Sequence, residues 1–228
     1  EIYVLNSLEL PTHLSSSGAN GAMPESLFFI KLAEKYFEEL LEKPYLDGIL
    51  IHEAIIGHGE VYKDVKEAVK EKDIDMIIMG SQGTNGFMEM FIGSNTEKVV
   101  RTSNVPVLVI KNNHENFKTE NFIYATDFSD ECKTPFKQAI KFAEKTNTFI
   151  NLLYINTPSS FKTTKEINSK IKRFLKGMDE TNFNIHIYND ISIEKGILNF
   201  AGETNAHLIG LGTHGRSGLA HFFNGSIS

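Results

Sequence analysis

A glycine-rich motif occurs twice in this chain of 228 residues, each time directly after a short apolar run. Both copies read Gly-x2-Gly-x9-Gly-Ser without an insertion. Glycine at a strand end permits positive φ values, so backbone N–H groups there can approach an anion closely. The closing Gly-Ser is expected to begin a helix, whose unpaired N–H groups and dipole attract phosphate. The residues concerned are Gly80, Gly83, Gly93 and Ser94 in the first copy and Gly212, Gly215, Gly225 and Ser226 in the second.

The repeated motif has two interpretations. A Gly-x-x-Gly turn after a strand often occurs without any ligand, and the glycines then serve the turn alone. Two copies with the same spacing and the same closing Gly-Ser favour a phosphate cradle instead. The segment between the second and third glycines is long enough to arch over a triphosphate.

The composition argues against several other classes of protein. A net charge of −6 and the lack of a Lys and Arg cluster disfavour non-specific binding of nucleic acid. No apolar run approaches the roughly 18 residues that cross a bilayer, and the first residues do not resemble an export signal. We therefore expect no membrane partner. The single cysteine, Cys132, fits a reducing cytoplasm, which is the expected location.

Strands and helices are predicted to alternate along both halves of the chain. Such alternation indicates an α/β fold, in which right-handed crossovers put helices on both faces of a parallel sheet. The polar, aperiodic segment 111–120 is the best linker, and the repeat assigns residues 1–113 to one domain and residues 114–228 to a second. The first domain is expected to lack its opening strand and helix, and the second its closing helix and strand.

Three segments carry specific local signals. The run Met76–Met79 is short and fully apolar, which is typical of a buried strand in the middle of a parallel sheet. Apolar residues repeat at intervals of three and four in a helix predicted from Pro24 to Lys43, which indicates one buried stripe. Ser129 is expected to cap the helix that follows it. The predicted stripe consists of Phe29, Leu32, Ala33, Tyr36, Phe37, Leu40 and Leu41.

This chain resembles the ATP-binding branch of the universal stress protein family. The resemblance rests on the two glycine motifs and on two strand ends, Ala125-Thr126-Asp127-Phe128-Ser129 and Leu153-Tyr154-Ile155. It covers essentially the whole chain and implies two tandem Rossmann-like domains of the adenine nucleotide alpha hydrolase-like class. Each would be an open parallel five-stranded sheet with helices on both faces. The resemblance also implies an intrachain pseudo-dimer of the two domains, with Val105–Val109 as one pairing edge strand, and leaves a homodimer open.

By this resemblance, the second domain binds ATP or a related adenine nucleotide, with Mg²⁺ accompanying the triphosphate. Asp127 would contact the ribose hydroxyls, and the backbone of Ile155 would hold the adenine edge. An alternative for Asp127 is that it only helps to cap the following helix. The phosphate contacts of the second domain would come from Gly212, Gly215, Gly225 and Ser226.

The first domain keeps only part of this site. Ser7 stands where the aliphatic adenine contact would be, and the aspartate of the first strand is not in the sequence. We therefore expect bound nucleotide in the second domain. The phosphate contacts of the first domain that match the family motif are Gly80, Gly83, Gly93 and Ser94.

The expected function is that of a cytoplasmic stress-response protein that binds ATP and acts as a nucleotide-dependent binding or signalling module. The sequence offers no convincing general base, nucleophile or Walker-type Gly-Lys-Ser, so we assign no catalytic residue and expect weak ATP hydrolysis at most. The histidines show no ligand spacing that predicts a metal site. Two alternatives remain open: a nucleotide-free interaction scaffold of the same fold, and a slow ATP hydrolase.

Overall fold

The computed structural model of the chain has two compact units, which divide at the last residue of the final strand of the first unit, between Val109 and Ile110. Strands and helices alternate in both, which confirms the predicted α/β fold with parallel sheets. Within the ranges described, no helix is both long and apolar enough to cross a membrane. The structure describes residues 1–7, 22–57, 59–81, 93–111, 117–178 and 183–212.

The first unit contains two short sheets among its described residues. Its elements are β1 (Ile2–Ser7), α1 (Ala22–Leu41), β2 (Ile51–Gly57), α2 (Val61–Glu71), β3 (Ile77–Gly80), α3 (Ser94–Thr102) and β4 (Val107–Ile110). β1 pairs with β2 in parallel, and β3 pairs with β4. No described strand joins the two pairs.

The second unit contains one sheet of four parallel strands. Its elements are β5 (Asn121–Ala125), α4 (Lys133–Thr146), β6 (Phe149–Asn156), α5 (Thr164–Leu175), β7 (Phe183–Asn189), α6 (Ile193–Glu203) and β8 (Leu208–Leu211). The strand order is β7-β6-β5-β8, so β5 lies in the interior between β6 and β8. The order of strands reverses at β5, as it does in doubly wound sheets.

Two apolar clusters cover the two faces of this four-stranded sheet. On one face α4 and α5 pack through Phe136 and Phe174, whose ring centroids are 5.5 Å apart. On the other face α6 packs through Ile197. Because side chains alternate along a strand, β5 contributes Tyr124 to the first cluster and Ala125 to the second.

Two predictions for the first unit are wrong in detail. β3 is not fully buried: Ile77 faces α2 and α3, whereas Ile78 points to the opposite face and is 67% exposed. Only Ala33 and Phe37 of the predicted stripe on α1 are buried, while Tyr36 is 59% exposed. The corresponding helix of the second unit, α5, buries its apolar side against α4. The described part of the first unit has no counterpart of α4 that could cover the stripe on α1.

The close packing of α6 on the sheet depends on Gly196. A Cβ atom on this residue would lie 2.7 Å from Cγ2 of Ile155, closer than Cβ atoms approach other atoms in proteins. Glycine in a helix interior costs about 1 kcal/mol relative to alanine, and the close approach of α6 to β6 offsets that cost. A Cβ atom on Gly202, in the same helix, would meet nothing within 4 Å.

Gly196→Ala and Gly202→Ala therefore form a matched pair. The first substitution is expected to lower the free energy of unfolding by about 1–3 kcal/mol, because overpacking outweighs the gain in helix propensity. The second is expected to leave it unchanged or to raise it by up to about 1 kcal/mol. Urea denaturation of both variants measures the difference, and equal stabilities would contradict the packing role of Gly196.

Candidate functional site

The candidate site of the second unit lies at the carboxyl edge of its sheet. β5 ends at Ala125, two residues before Asp127, and Ile155 is the penultimate residue of β6. Gly212 directly follows β8. Since β6, β5 and β8 are neighbours in parallel, their carboxyl ends meet at one edge. The structure therefore brings three of the predicted site residues to one edge of one sheet.

A strained turn after β5 holds Asp127 in position. Phe128 adopts a φ of 58°, in the left-handed region that bulky residues rarely enter. Its N–H group donates to Oγ1 of Thr126 at 3.0 Å. Its ring is buried and stacks on Tyr154, with centroids 5.8 Å apart and an interplanar angle of 15°. The stacking anchors the turn to the core, which offsets a backbone strain on the order of 1–3 kcal/mol.

The carboxylate of Asp127 is exposed and takes part in this turn. The N–H group of Ser129 donates to Oδ1 of Asp127 at 2.9 Å, and the thiol of Cys132 donates to the same oxygen at 3.4 Å. Partial burial raises the pKa of Asp127, but the hydrogen bonds from Ser129 and Cys132 lower it by more. The pKa of Asp127 therefore lies below its ordinary value. The carboxylate is therefore ionised at neutral pH, and Oδ2 forms no hydrogen bond to a described residue.

The prediction that Ser129 caps the following helix is wrong. A 3₁₀ turn, Asp130–Cys132, separates Ser129 from α4, and the side chain of Ser129 accepts no N–H of that turn. Its hydroxyl instead donates to the sulfur of Cys132 at 3.4 Å. The alternative that Asp127 helps to cap this helix does not match its contact, because its carboxylate accepts from the N–H of Ser129, which precedes α4.

Ile155 can offer a ligand only its backbone, because its side chain packs against Gly196 on the other side of the strand end. The next residue, Asn156, was not predicted, and its buried amide organises the adjoining loop. Its Oδ1 accepts from the N–H of Lys162 at 2.9 Å, and its Nδ2 donates to Oδ1 of Asn189 at 3.1 Å. Asn156 thus fixes both the loop after β6 and the end of β7.

Gly212 leaves a small volume free at the end of β8. A Cβ atom there would lie 3.4 Å from the hydroxyl of Tyr124 and 3.6 Å from the sulfur of Cys132. The hydroxyl of Tyr124 is buried and has no hydrogen-bond partner among the described residues. Burial raises the pKa of Tyr124, so the hydroxyl remains protonated and available as a donor. A cradle that a side chain would fill, beside an unpaired donor, fits a bound phosphorylated ligand.

The first glycine motif has a frame of buried hydrogen bonds that the sequence did not predict. The N–H group of Gly93 donates to the carbonyl of Ser81 at 2.6 Å. Oγ1 of Thr96 donates to the carbonyl of Gly80 at 2.9 Å, and both Ser81 and Thr96 are buried. Gly93 is the N-cap of α3 but has no side chain to cap it, and Ser94 is the first helical residue. The end of β3 is therefore tied to the start of α3, as the motif requires.

The strand end at Ser7 in the first unit differs from the strand end at Ile155 in the second. Asp64 is the fourth residue of α2, as Gly196 is the fourth residue of α6. The hydroxyl of Ser7 donates to Oδ2 of Asp64, and the N–H of Gly59 donates to the same oxygen at 3.1 Å. Asp64 thus puts a carboxylate at the helix position where the second unit has Gly196, which has no side chain.

Four predicted site residues lie outside the described residues: Gly83, Gly215, Gly225 and Ser226. Within the described ranges, no group of three or more His, Cys, Asp or Glu side chains could hold a metal ion.

Comparison with known proteins agrees with this architecture. The model of the universal stress protein family matches residues 1–111 and again residues 118–228. A universal stress protein of Bacillus subtilis is 32% identical over 102 residues, which are 45% of this chain and 64% of that protein. One of Methanocaldococcus jannaschii is 40% identical over 57 residues, which are 25% of this chain and 35% of that protein. The matched part of the chain thus spans less than two thirds of either relative.

Solved structures show the same fold. A universal stress protein from Archaeoglobus fulgidus gives a TM-score of 0.64 at 21% identity, covering 92% of this chain and 73% of its own. A putative universal stress protein from Pseudomonas aeruginosa gives 0.57 at 14% identity, covering 98% and 86%. A universal stress protein solved in complex with cAMP gives 0.33 over 48% of this chain, which is too low to bear on the ligand here.

Two α/β units, each with a glycine motif after a strand, define a tandem protein of the adenine nucleotide alpha hydrolase-like fold. The chain belongs to the universal stress protein family and contains two tandem domains of that family.

The hydrogen bond that joins the end of β3 to α3 at the first glycine motif can be tested through Thr96. Thr96→Val keeps the shape of the side chain and removes the donor to the Gly80 carbonyl, so the free energy of unfolding is expected to fall by about 1–2 kcal/mol. Thr102→Val is the control, because its hydroxyl is exposed and donates to the carbonyl of Lys98 within the same helix. Chemical denaturation measures both, and a Thr96 variant as stable as its control would show that the bond contributes nothing.

Proposed function

We propose that the second unit binds ATP or a related adenine nucleotide, accompanied by Mg²⁺, and that the protein acts in the cytoplasm as a nucleotide-dependent binding or signalling module. The observation that carries the proposal is the meeting of Asp127, Ile155 and Gly212 at one edge of one sheet. Open α/β sheets bind their ligands outside the carboxyl ends of the strands, where the strand order reverses. β5 is at that reversal.

Each of these residues has a separate task in the proposal. The ionised carboxylate of Asp127 would accept hydrogen bonds from the ribose hydroxyls through Oδ2, while Oδ1 maintains the turn. The backbone of Ile155 would contact the edge of the base, because its side chain is committed to the core. Gly212 would begin the phosphate contacts, and Gly215, Gly225 and Ser226 would continue them.

The proposed site positions a ligand and is not proposed to transform it. Phosphoryl transfer needs groups that orient the attacking nucleophile and neutralise the developing charge, and the described residues around Asp127 offer no base aimed at such a nucleophile. Bound nucleotide would supply a polyanion whose presence orders the residues around it. The signal would then be the conformation of the domain with nucleotide bound, because a ligand that binds one conformation more tightly shifts the population toward that conformation.

For the first unit we propose a nucleotide-free scaffold role. The observation that favours it is the hydrogen bond between Ser7 and Asp64, which puts a carboxylate at the adenine side of that unit. That carboxylate already accepts hydrogen bonds from Ser7 and Gly59, so the strand end is engaged within the unit and is not offered to a base. The contacts around Gly80, Gly93 and Ser94 would then serve the turn from β3 to α3, which is the interpretation of the motif as turn chemistry.

The proposal is tested by identifying the bound ligand. Protein purified without added nucleotide is denatured, and the released small molecules are identified by mass spectrometry. An adenine nucleotide in a ratio near one per chain is expected, since only the second unit would be loaded. Nucleotide-free protein is expected to gain thermal stability with Mg-ATP, because a ligand that binds only the folded state stabilises it. No released nucleotide together with no thermal shift would remove the proposal.

Asp127→Ala tests the ribose contact. Loss of a charge-assisted hydrogen bond is expected to weaken ATP binding by about tenfold to a hundredfold. It should weaken binding of 2′-deoxy-ATP less, because the deoxy ligand lacks one of the two hydroxyls. Asp130→Ala is the control, since Asp130 is exposed and pairs only with Lys133 at 2.8 Å. Titration calorimetry measures all affinities, and an equal loss for both nucleotides would exclude the ribose role.

A further inference from the structure

The single cysteine of the chain lies between the two halves of the candidate site. The sulfur of Cys132 donates its proton to Oδ1 of Asp127 at 3.4 Å and accepts from the hydroxyl of Ser129 at 3.4 Å. It also lies 3.6 Å from the position that a Cβ atom of Gly212 would occupy. The thiol is half-buried. An atom added to this sulfur would therefore lie close to both Asp127 and Gly212.

A second, independent feature faces the same space. The hydroxyl of Tyr124 lies 3.4 Å from the same Cβ position of Gly212. The residue is 2% exposed, and its hydroxyl has no hydrogen-bond partner among the described residues. A buried donor without an acceptor is unfavourable, and an oxygen carried on the neighbouring sulfur would supply an acceptor. The unpaired donor therefore indicates which modification of the thiol this space can stabilise.

We propose that Cys132 is a site of oxidation by hydrogen peroxide, and that its oxidation and nucleotide binding in the second unit exclude each other. The coupling rests on the proposed function of that unit. In the reaction the sulfur forms a bond to one peroxide oxygen and the O–O bond breaks. The second oxygen leaves as water with the thiol proton, and the product is a cysteine sulfenic acid.

The exclusion follows from the contacts of Asp127. Oxidation replaces the S–H group by a larger S–O–H group beside the carboxylate of Asp127, which the N–H of Ser129 still holds. The added oxygen would take up space beside Asp127 and Gly212, and a nucleotide bound to both would need that space. Bound nucleotide would in turn cover the sulfur, so the rate of oxidation is expected to fall while the site is occupied.

The experiment uses the full chain, in which every thiol signal comes from Cys132. The protein is treated with hydrogen peroxide in the presence of dimedone, which traps sulfenic acid, and the adduct is followed by mass spectrometry with and without saturating Mg-ATP. Trapping is expected to slow at least about tenfold with Mg-ATP. Protein oxidised without dimedone is expected to bind ATP at least about tenfold more weakly and to recover after treatment with dithiothreitol.

Two variants complete the test. Cys132→Ser controls for oxidation of methionines, because its affinity for ATP must not change with peroxide. Tyr124→Phe removes only the unpaired hydroxyl and is expected to lower the yield of trapped sulfenic acid severalfold. Tyr188→Phe is its control, since Tyr188 donates to Glu203 and packs on the face of the sheet opposite to Cys132. A normal yield in Tyr124→Phe would remove the role of the tyrosine.

The failures of the two proposals give different results. Untreated protein that does not bind ATP overturns the proposed function and the coupling with it. Untreated protein that binds ATP, together with fully oxidised protein that binds it equally well, overturns the coupling alone. Equal trapping rates with and without Mg-ATP lead to the same conclusion.

Discussion

The pairing of β5 on both of its edges determines the geometry of the second unit. Hydrogen bonds to β6 on one side and β8 on the other fix where each strand ends, and the ladder continues one residue further, as the N–H of Thr126 donates to the carbonyl of Leu153 at 2.9 Å. The turn that carries Asp127 therefore starts from a rigid base. The left-handed conformation of Phe128 is strained, and the paired strand end adds to the local hydrogen bonds of the turn in holding it.

The core and the site of this unit are also joined through aromatic side chains. Phe128 contacts both Tyr154 and Phe174, with ring centroids 5.8 and 5.4 Å apart, and Tyr124 contacts Phe136 at 5.2 Å. The same residues that bury apolar surface thus hold the strand ends. A change in packing between α4 and α5 would move the turn of Asp127 and the hydroxyl of Tyr124 together, so the core packing of this unit and the geometry of its candidate site are coupled.

Sequence patterns predicted the order of elements and the sheet edge at which three candidate residues meet, because both depend on local periodicity and on the geometry of parallel strands. They failed where a partner is remote in sequence. Thr96 reaches back to Gly80, and Asn156 joins Lys162 to Asn189, without any local signal. Exposure of Ile78 and Tyr36 was missed for a related reason: an apolar pattern shows which face a helix or strand could bury, but not whether a neighbour covers it.

The contact between a strand end and the helix packed against it is made by different residues in the two units. One packs isoleucine against glycine at Gly196, and the other joins serine to a carboxylate at Asp64. Each arrangement depends on both partners. Isoleucine at the position of Ser7 would remove a hydrogen bond to Asp64, and serine at the position of Ile155 would leave a cavity beside Gly196. A substitution at either strand end is therefore expected to cost stability unless the facing residue of the helix changes with it.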